Sequence, residues 1–512
     1  LVMHLLPPRP LPKMDFRISG IPDACRTLVV VPMMMTDAQT IRAETEKLEI
    51  RYIANREANL IFAIYADYRD AAHRDCDEDS SLLQTAKECI ELLNARYGHG
   101  HFMLLYRNRT WCATEQTFMG WERKRGKLEE LNNAIIGGST LHNGCMVGVG
   151  DSDILPNIQF VLTLDSDTQL PHDAARRLVE TLAHPLIRPR FNAGGNLKEG
   201  TYCVIQPRVS PSLISAGSSA FSRIFSEAVG IDTYSTAVSD AYQDLTGEGS
   251  YHGKGIYDVR AFSRILSNRF PEGRLLSHDL IEGAHVRAGL ASDIELYDEF
   301  PADYLTYAKR QHRWIRGDWQ IAAWIMPHVP HPAPGKWPNP LSWFDRWKIF
   351  DNLRRSLLPS CSMGLLAVSW CMAFPAGYAA TLLIVTQMLS HTLAQPFTWA
   401  TAGRTFREIS LARIFHDLTR VAIEAVMLPY QACLTLDAIF RALYRQYVSH
   451  HGLLEWSSPS ALHTPGASFR FILFTAFISI LYSASSIAVY IWRPGILWVA
   501  GPWLSLWSLS LL

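Results

Sequence analysis

Residues 356–403 contain no Asp, Glu, Lys or Arg. A water-soluble fold rarely tolerates a charge-free run of that length, whereas a bilayer helix needs roughly 20 apolar residues. The run is therefore read as one long membrane span or two. The Phe374-Pro375-Ala376-Gly377 break favours a helical hairpin. Residues 471–492, uncharged between Arg470 and Arg493, read as a further span, and residues 495–512 as the next. Residues 421–436 stand between a span and an interfacial helix: they are short, contain Glu424 and Pro429, and are followed by Arg441 and Arg445. Buried core helices are the alternative for all these stretches. The basic residues of 404–420 and 441–445 are expected on the cytoplasmic side.

Up to Asp351 the sequence has another character, mixing charge, Gly and short apolar runs. Lys plus Arg and Asp plus Glu balance at 48 each, so no polybasic surface argues for nucleic acid. The nine cysteines are scattered without a C-x-x-C pair or a Cys/His cluster, which argues against structural zinc or a disulfide framework and fits a reducing compartment. Pro7, Pro8, Pro10 and Pro12 break any signal-peptide core near the start. A start without Met and an end inside an apolar stretch lead to the expectation of an internal piece of a longer polypeptide.

The first half alternates strand and helix patterns. Thr27–Met35 (TLVVVPMMM) is a continuous apolar run that reads as a buried parallel strand, followed by a helix over 38–55. Strands are predicted at 59–65, 102–106 and 158–164, and helices at 81–97 and 127–136. Such alternation implies a doubly wound, mostly parallel α/β sheet, in which ligands sit beyond the carboxyl ends of the strands. Two predicted strand ends carry carboxylates: Asp67 after the second, and Asp165-Ser166-Asp167 after the fourth. A pair of carboxylates at i and i+2 behind a buried strand is costly without a partner, and hard oxygen ligands suit Mg²⁺ or Mn²⁺ bridged to a diphosphate. A solvated turn is the plainer reading of such a triplet.

Two later segments add to the case. Residues 275–288 (LLSHDLIEGAHVRA) set Asp279 and Glu282 at i, i+3, so that one could take a proton from a sugar hydroxyl; a charged helix start capped by Ser277 is the alternative. In residues 307–320 (YAKRQHRWIRGDWQ), Arg310, Arg313 and Gly317 share a helix face beside Trp314. Arg binds phosphate oxygens bidentately and Trp can stack on a sugar, although a basic helix near a membrane would look similar.

Asp67, the 165–167 triplet, Asp279 and the Arg310-Gln311-His312-Arg313-Trp314 run come in the order and spacing of the processive inverting glycosyltransferases, the group of the cellulose and chitin synthases. The strings LDSDTQLP, TGEGSYHGKGIYDV, LLSHDLIEGAHVRAGL, RQHRWIRGDWQ and LLEW resemble the glycosyltransferase region of cyclic β-1,2-glucan synthases, from about Thr27 to the end of the chain. Two departures stand out. Arg310 occupies the first Gln of Q-x-x-R-W, so that amide's contact with the acceptor does not carry over, and Ser277-His278-Asp279 replaces T-E-D, so only the Asp transfers.

The resemblance implies a GT-A domain over residues 27–330, after an N-terminal linker (1–26) and before an interfacial linker (331–355) and an all-α transmembrane region (356–512). It implies a multi-pass protein of the bacterial inner membrane with a cytoplasmic catalytic domain joined to further domains of one polypeptide, and membrane lipid as a partner. UDP-glucose would be the donor and a growing glucan the acceptor. Asp67 would hold the uridine with Lys127 nearby; Asp165 would contact the ribose or diphosphate; Asp167 would ligate Mg²⁺ or Mn²⁺. Asp279 would deprotonate the acceptor 2-hydroxyl for inverting attack, Arg313 would stabilise departing UDP, and Trp314 would line the acceptor site. The Gly-rich TGEGSYHGKG, with Glu248 and Lys254, would be a mobile loop beside the acceptor. Transfer with another β-linkage or onto a lipid, a non-catalytic membrane sugar-binding or assembly protein, and a metal-dependent phosphohydrolase are the competing readings.

Overall fold

The computed structural model describes residues 9–137, 144–226, 241–393 apart from 373 and 391, 411–455 and 494–508, with scattered positions between 473 and 492. Its first half is built on an eight-stranded sheet. In chain order the elements are β1 (Thr27–Met35), α1 (Ala38–Ala54), β2 (Leu60–Tyr68), α2 (Asp79–Tyr97), β3 (Phe102–Arg107), a hairpin of β4 (Thr110–Cys112) and β5 (Thr117–Met119), α3 (Arg123–Gly137), β6 (Met146–Val149), β7 (Phe160–Thr163) and α4 (Ala174–Ala183). Then follow β8 (Val204–Pro211), the short helices α5 (Leu213–Gly217), α6 (Ala220–Phe225) and α7 (Ala241–Thr246), β9 (Gly255–Asp258), α8 (Val259–Leu266), α9 (Asp279–Val286), β10 (Ala288–Asp298) and α10 (Tyr304–Gln320).

The spatial strand order is β10-β8-β9-β7-β1-β2-β3-β6. Strands β7, β1, β2 and β3 run parallel, as do β8 and β10. However, β9 is antiparallel to both its neighbours and β6 is antiparallel to β3. Six of the eight strands therefore run the same way, so the sheet is mostly parallel as expected, and β9 and β6 make it a mixed one. The four predicted strands make up its parallel centre, and the missed β6, β8, β9 and β10 its flanks.

Why the central strands are legible is visible in their packing. Val29, Val31 and Met33 of β1 with Leu60, Phe62 and Ile64 of β2 face a core completed by α1, α2 and α4. The intervening Leu28, Val30, Ile61, Ala63 and Tyr65 face a second core under α3 and α8. With both faces covered, every position must be apolar, and the run is continuous instead of alternating. Helix starts follow local chemistry. Asp37 caps α1 by accepting from Thr40 N at 2.8 Å, and Asp303 caps α10 through Thr306 N at 2.8 Å.

After a small hairpin of β11 (His328–Val329) and β12 (Trp337–Pro338), helix α11 (Trp343–Cys371), capped by Ser342, runs without interruption across position 355, where the interfacial linker was expected to end. Helix α12 (Phe374–Met388) begins at the expected Phe-Pro break. Two further helices, α13 (Leu411–Tyr444) and α14 (Leu497–Ser508), pack with them around Leu366, Ile384, Leu428, Trp503 and Trp507. Among the described residues one helix, Ile414–Ser449, is long and apolar enough to cross a membrane. It contains residues 421–436, the stretch that the sequence left open. The span expected at 471–492 lies partly outside the described residues.

Candidate active site

The carboxyl ends of β7, β1 and β2 converge beneath the first turn of α3, and that turn carries two lysines. Lys127 is buried, with its ammonium 3.0 Å from Asp67 Oδ2 and donating to the carbonyls of Met33 (3.1 Å) and Tyr65 (2.9 Å). Burial pushes it down to about 8, against the pull of Asp67. Asp67 lies inside β2, in register with Arg107 of β3. Arg107 grips both its oxygens and also donates to Glu130 Oε2 at 3.0 Å and to the carbonyls of Trp121 and Arg123. Burial would raise the Asp67 carboxyl, but Arg107 and Lys127 together hold it below the usual carboxylate range. Gly120 closes this pocket, since a Cβ there would come within 2.9 Å of the Asp67 carboxylate.

One helical turn earlier, Lys124 reaches the triplet after β7. Its Nζ is 2.6 Å from Asp165 Oδ1 and donates to the Gly253 carbonyl at 2.8 Å. The other Asp165 oxygen faces Lys254 at 3.1 Å, and Lys254 is also clamped to the buried Asp298 at the end of β10. Against the effect of burial, the two lysines hold Asp165 well below the usual carboxylate range. Thr168 donates to Asp298 at 2.8 Å, and the buried Arg51 guanidinium gathers the carbonyls of Ser166 and Thr168 from behind. The triplet is a braced turn, and the solvated-turn alternative does not describe it.

Asp167 is the exception in this cluster. Among the described residues it makes no hydrogen bond or ion pair, and its carboxyl is pushed up by burial and by the charges of Asp165 and Asp298, with Lys254 opposing. A hard dication beside Asp167 would offset that excess of negative charge, and carboxylate oxygens are the donors such a cation prefers. The residues present thus fit the divalent metal that the resemblance implies.

Helix α10 brings the basic run over the same end of the sheet. Arg313 makes no hydrogen bond or ion pair among the described residues. Burial and Arg310 lower its proton affinity, while Asp165 and Asp167 act to raise it; the guanidinium thus lies within the field of the triplet. Arg310 donates to the Glu299 carbonyl and stacks over the Trp314 ring at 4.8 Å, so Trp314 is half covered by its own helix.

Asp279 opens α9 against Gly253, and Ser277 just before it packs against Gly317. A Cβ on Gly253 would lie 2.5 Å from Asp279 Oδ1, and one on Gly317 of α10 would lie 2.3 Å from Ser277 Cβ. Asp279 Oδ1 is buried and accepts no hydrogen bond among the described residues. His278, Asp279 and Glu282 each offer a ligand atom within 4.8 Å of the others. Here His278 Nδ1 sits 2.9 Å from Glu282 Oε2 and 3.6 Å from Asp279 Oδ1, in ion-pair range but without hydrogen-bond geometry.

Of the expected site residues, Asp165, Asp167 and Asp279 are thus gathered around residues 253–254, Arg313 lies within the field of the triplet, Asp67 and Lys127 form an adjoining buried pair joined to them through α3, and Trp314 lies one residue from Arg313 on α10. Sequence reasoning missed Arg51, Arg107, Lys124 and Asp298. Lys124 had a signal, one turn before Lys127; Asp298 ends a strand that was not predicted. The LLEW string also acquires a place. Leu453 O accepts from Gln320 Nε2 at 2.8 Å, Leu454 N donates to Glu115 Oε1 at 2.8 Å, and Glu455 pairs with Arg316 at 3.1 Å. The segment therefore bridges α10 and the β4–β5 hairpin.

A mixed α/β sheet with carboxylates and cations gathered at the carboxyl ends of its central strands is a framework of glycosyltransferases. More narrowly, over 463 residues, 88% of its length, the chain is 39% identical to cyclic β-(1,2)-glucan synthase NdvB of Rhizobium meliloti (strain 1021). Through this segment it is similar to the cyclic β-(1,2)-glucan synthases, and it spans 16% of the length of NdvB. No family model matches the chain. Similar solved structures include the mannosyltransferase PcManGT from Pyrobaculum calidifontis in complex with GDP-Man and Mn²⁺ (16% identity, 78% of this chain, 86% of that one, TM-score 0.37). Another is S. aureus TarS (10% identity, 82% of this chain, 55% of that one, TM-score 0.33).

Proposed function

We propose that this chain is the glucosyl-transferring segment of a cyclic β-(1,2)-glucan synthase, a GT-A type domain that takes glucose from UDP-glucose and adds it, with inversion, to a growing β-1,2-glucan. The observation that supports this reading is that Asp165 and Asp279 lie on either side of residues 253–254, with Asp167 beside Asp165 and Arg313 within the field of both. Donor-side and acceptor-side groups are one residue apart there. Lys124, Lys254 and Arg313 are placed for the diphosphate of the donor, and Asp67 with Lys127 for its uridine end. A divalent cation held by Asp167, with Asp165 beside it, would offset the charge that develops on departing UDP. Asp279 Oδ1, an acceptor without a donor, takes the proton of the incoming 2-hydroxyl. In-line attack on the anomeric carbon then breaks its bond to the diphosphate oxygen, and UDP leaves. Trp314 supplies a face for the acceptor sugar.

The apolar helices after α10 hold this domain at a bacterial inner membrane, with the site on the cytoplasmic side where the donor is made and the remaining domains on the same polypeptide. Incubation of membranes containing the protein with radiolabelled UDP-glucose, followed by linkage analysis, tests the assignment. A 2-linked glucan supports it. A 3- or 4-linked product, or label found only in lipid, overturns it.

A further inference from the structure

Behind the Asp279 carboxylate lies a buried histidine that the transfer reaction itself does not use. His278 is only 5% exposed. Its Nδ1 is 2.9 Å from Glu282 Oε2 and 3.6 Å from Asp279 Oδ1, so one ring nitrogen faces two carboxylates of the same helix turn. Neither anion has a lysine or arginine ion-pair partner among the described residues. Arg125 of α3, the cation that acts against the His278 ring, is committed to Glu122 at 2.7 Å and to Glu129 at 3.3 Å, and Lys124 of the same helix is held by Asp165 and the Gly253 carbonyl. The loop packed on the other side offers the Tyr251 phenol, which the charges of Asp279 and Glu282 help to hold in its neutral form. The protonated His278 ring is thus the positive charge available to this pair.

We propose that His278 is a positioning residue for Asp279: its imidazolium, seated against Glu282, balances two carboxylates that would otherwise repel, and holds the Asp279 carboxylate towards the acceptor. The inference rests on the reading of Asp279 as the base. The charge balance agrees with the geometry. Burial alone would make the ring neutral, yet Glu282 and Asp279 outweigh burial and the opposing Arg125, and raise His278 above its ordinary value. The imidazolium is therefore complete at low pH, and it is lost as pH rises through that raised value. Once the ring is neutral, Asp279 and Glu282 face each other uncompensated, and turnover falls on the alkaline side.

The test is the pH profile of kcat in the full-length protein, with UDP affinity and melting temperature measured alongside. His278→Gln should lower kcat by about tenfold or more, as small misplacements of a reacting group do, with the KM for UDP-glucose unchanged and the alkaline limb abolished. Glu282→Gln keeps the ring and removes its main anion, so its alkaline limb should move to lower pH while the plateau survives. A simple packing role would lower kcat at every pH and leave the limb where it was; that result overturns the proposal. So does a Glu282→Gln limb that does not move. Mn²⁺ binding, measured by calorimetry without donor, that disappears in His278→Gln while the pH profile stays unchanged would make the trio a metal site and also overturn it. An active Asp279→Asn enzyme would instead sink the assignment of the base, which separates the two failures.

Discussion

Gly253 offers the sharpest test of how the site is assembled. Its φ of +78° is a left-handed conformation, which costs a residue with a side chain about 1–2 kcal/mol. A Cβ at this position would also sit 2.5 Å from Oδ1 and 2.7 Å from Cγ of Asp279, where ordinary contact begins at 3.4 Å. Gly253→Ala must therefore move the loop or the carboxylate by roughly 1 Å, a displacement that can cost about 10² in rate. Gly200 supplies the control: its φ is +75°, but an added Cβ there would meet nothing within 4 Å. Gly200→Ala bears the same backbone strain without the clash. Stopped assays of UDP-glucose turnover, with UDP binding and thermal melts, should show both variants slightly destabilised and only Gly253→Ala slow, by about 10²-fold in kcat, with UDP affinity changed little. Equal kcat in the two variants, or a Gly253→Ala enzyme within threefold of wild type, would refute the argument that this glycine is required by its contact with Asp279.

Three further outcomes are expected. Asp167→Asn should abolish metal-dependent turnover, and wild-type activity that survives EDTA would remove the metal assignment. Arg313→Ala should lower kcat by roughly 10²-fold, the scale of losing one stabiliser of developing charge, with Arg313→Lys intermediate; unchanged kcat in Arg313→Ala argues against its role at the leaving group. Lys127, pushed down to about 8 by burial, should lose its proton as pH rises past that value, so UDP affinity should weaken there while the bound enzyme's kcat holds. Because its folded value lies below the unfolded one, this group disfavours folding below about pH 8, and the penalty is relieved as pH rises towards the unfolded lysine value. A UDP affinity flat from pH 7 to 9 would contradict the placement.

The sequence announced the central strands because each is buried on both faces, and a run such as TLVVVPMMM has no polar side to disguise it. The helices α1, α2 and α3 were legible for a different reason, a helical spacing of residues buried on one face, and their starts fall within four residues of those predicted. The flanking strands were not. β9 has four residues, and β6 is short and only half buried, so neither leaves a periodic trace. β8 ends in Pro-Arg-Val-Ser-Pro, which reads as a loop. Asp298 was lost with these strands, and Lys254 was read only as part of a loop beside the acceptor, since the meaning of both lies in the pairing of β10 with β8 and of β9 with β7. Arg51 could not have been recognised either. On a helix it looks like a solvated charge, and only the packing of α1 under the triplet turns it into a scaffold for the carbonyls of Asp165, Ser166 and Thr168. In the apolar half, Glu424 and Pro429 left residues 421–436 between a span and an interfacial helix, and α13 runs straight through both.

The charge arrangement also explains why one dipeptide matters so much. Lys254 is a buried ammonium whose partners, Asp165 and Asp298, come from opposite sides of β9. Removing one partner of such a pair leaves a buried charge uncompensated, at a cost of about 3–5 kcal/mol, so the lysine is fixed in place by both carboxylates. Its neighbour Gly253 is thereby fixed as well, with its carbonyl on Lys124 and its bare Cα against Asp279. A donor diphosphate that drew Lys124 and Lys254 towards itself would have to shift the Gly253 backbone, and with it the wall against which the Asp279 carboxylate rests. Donor binding and the position of the base are therefore mechanically linked through two adjacent residues. The link needs glycine at 253 and a cation at 254, and neither requirement could be read from the Gly-rich composition of the loop alone.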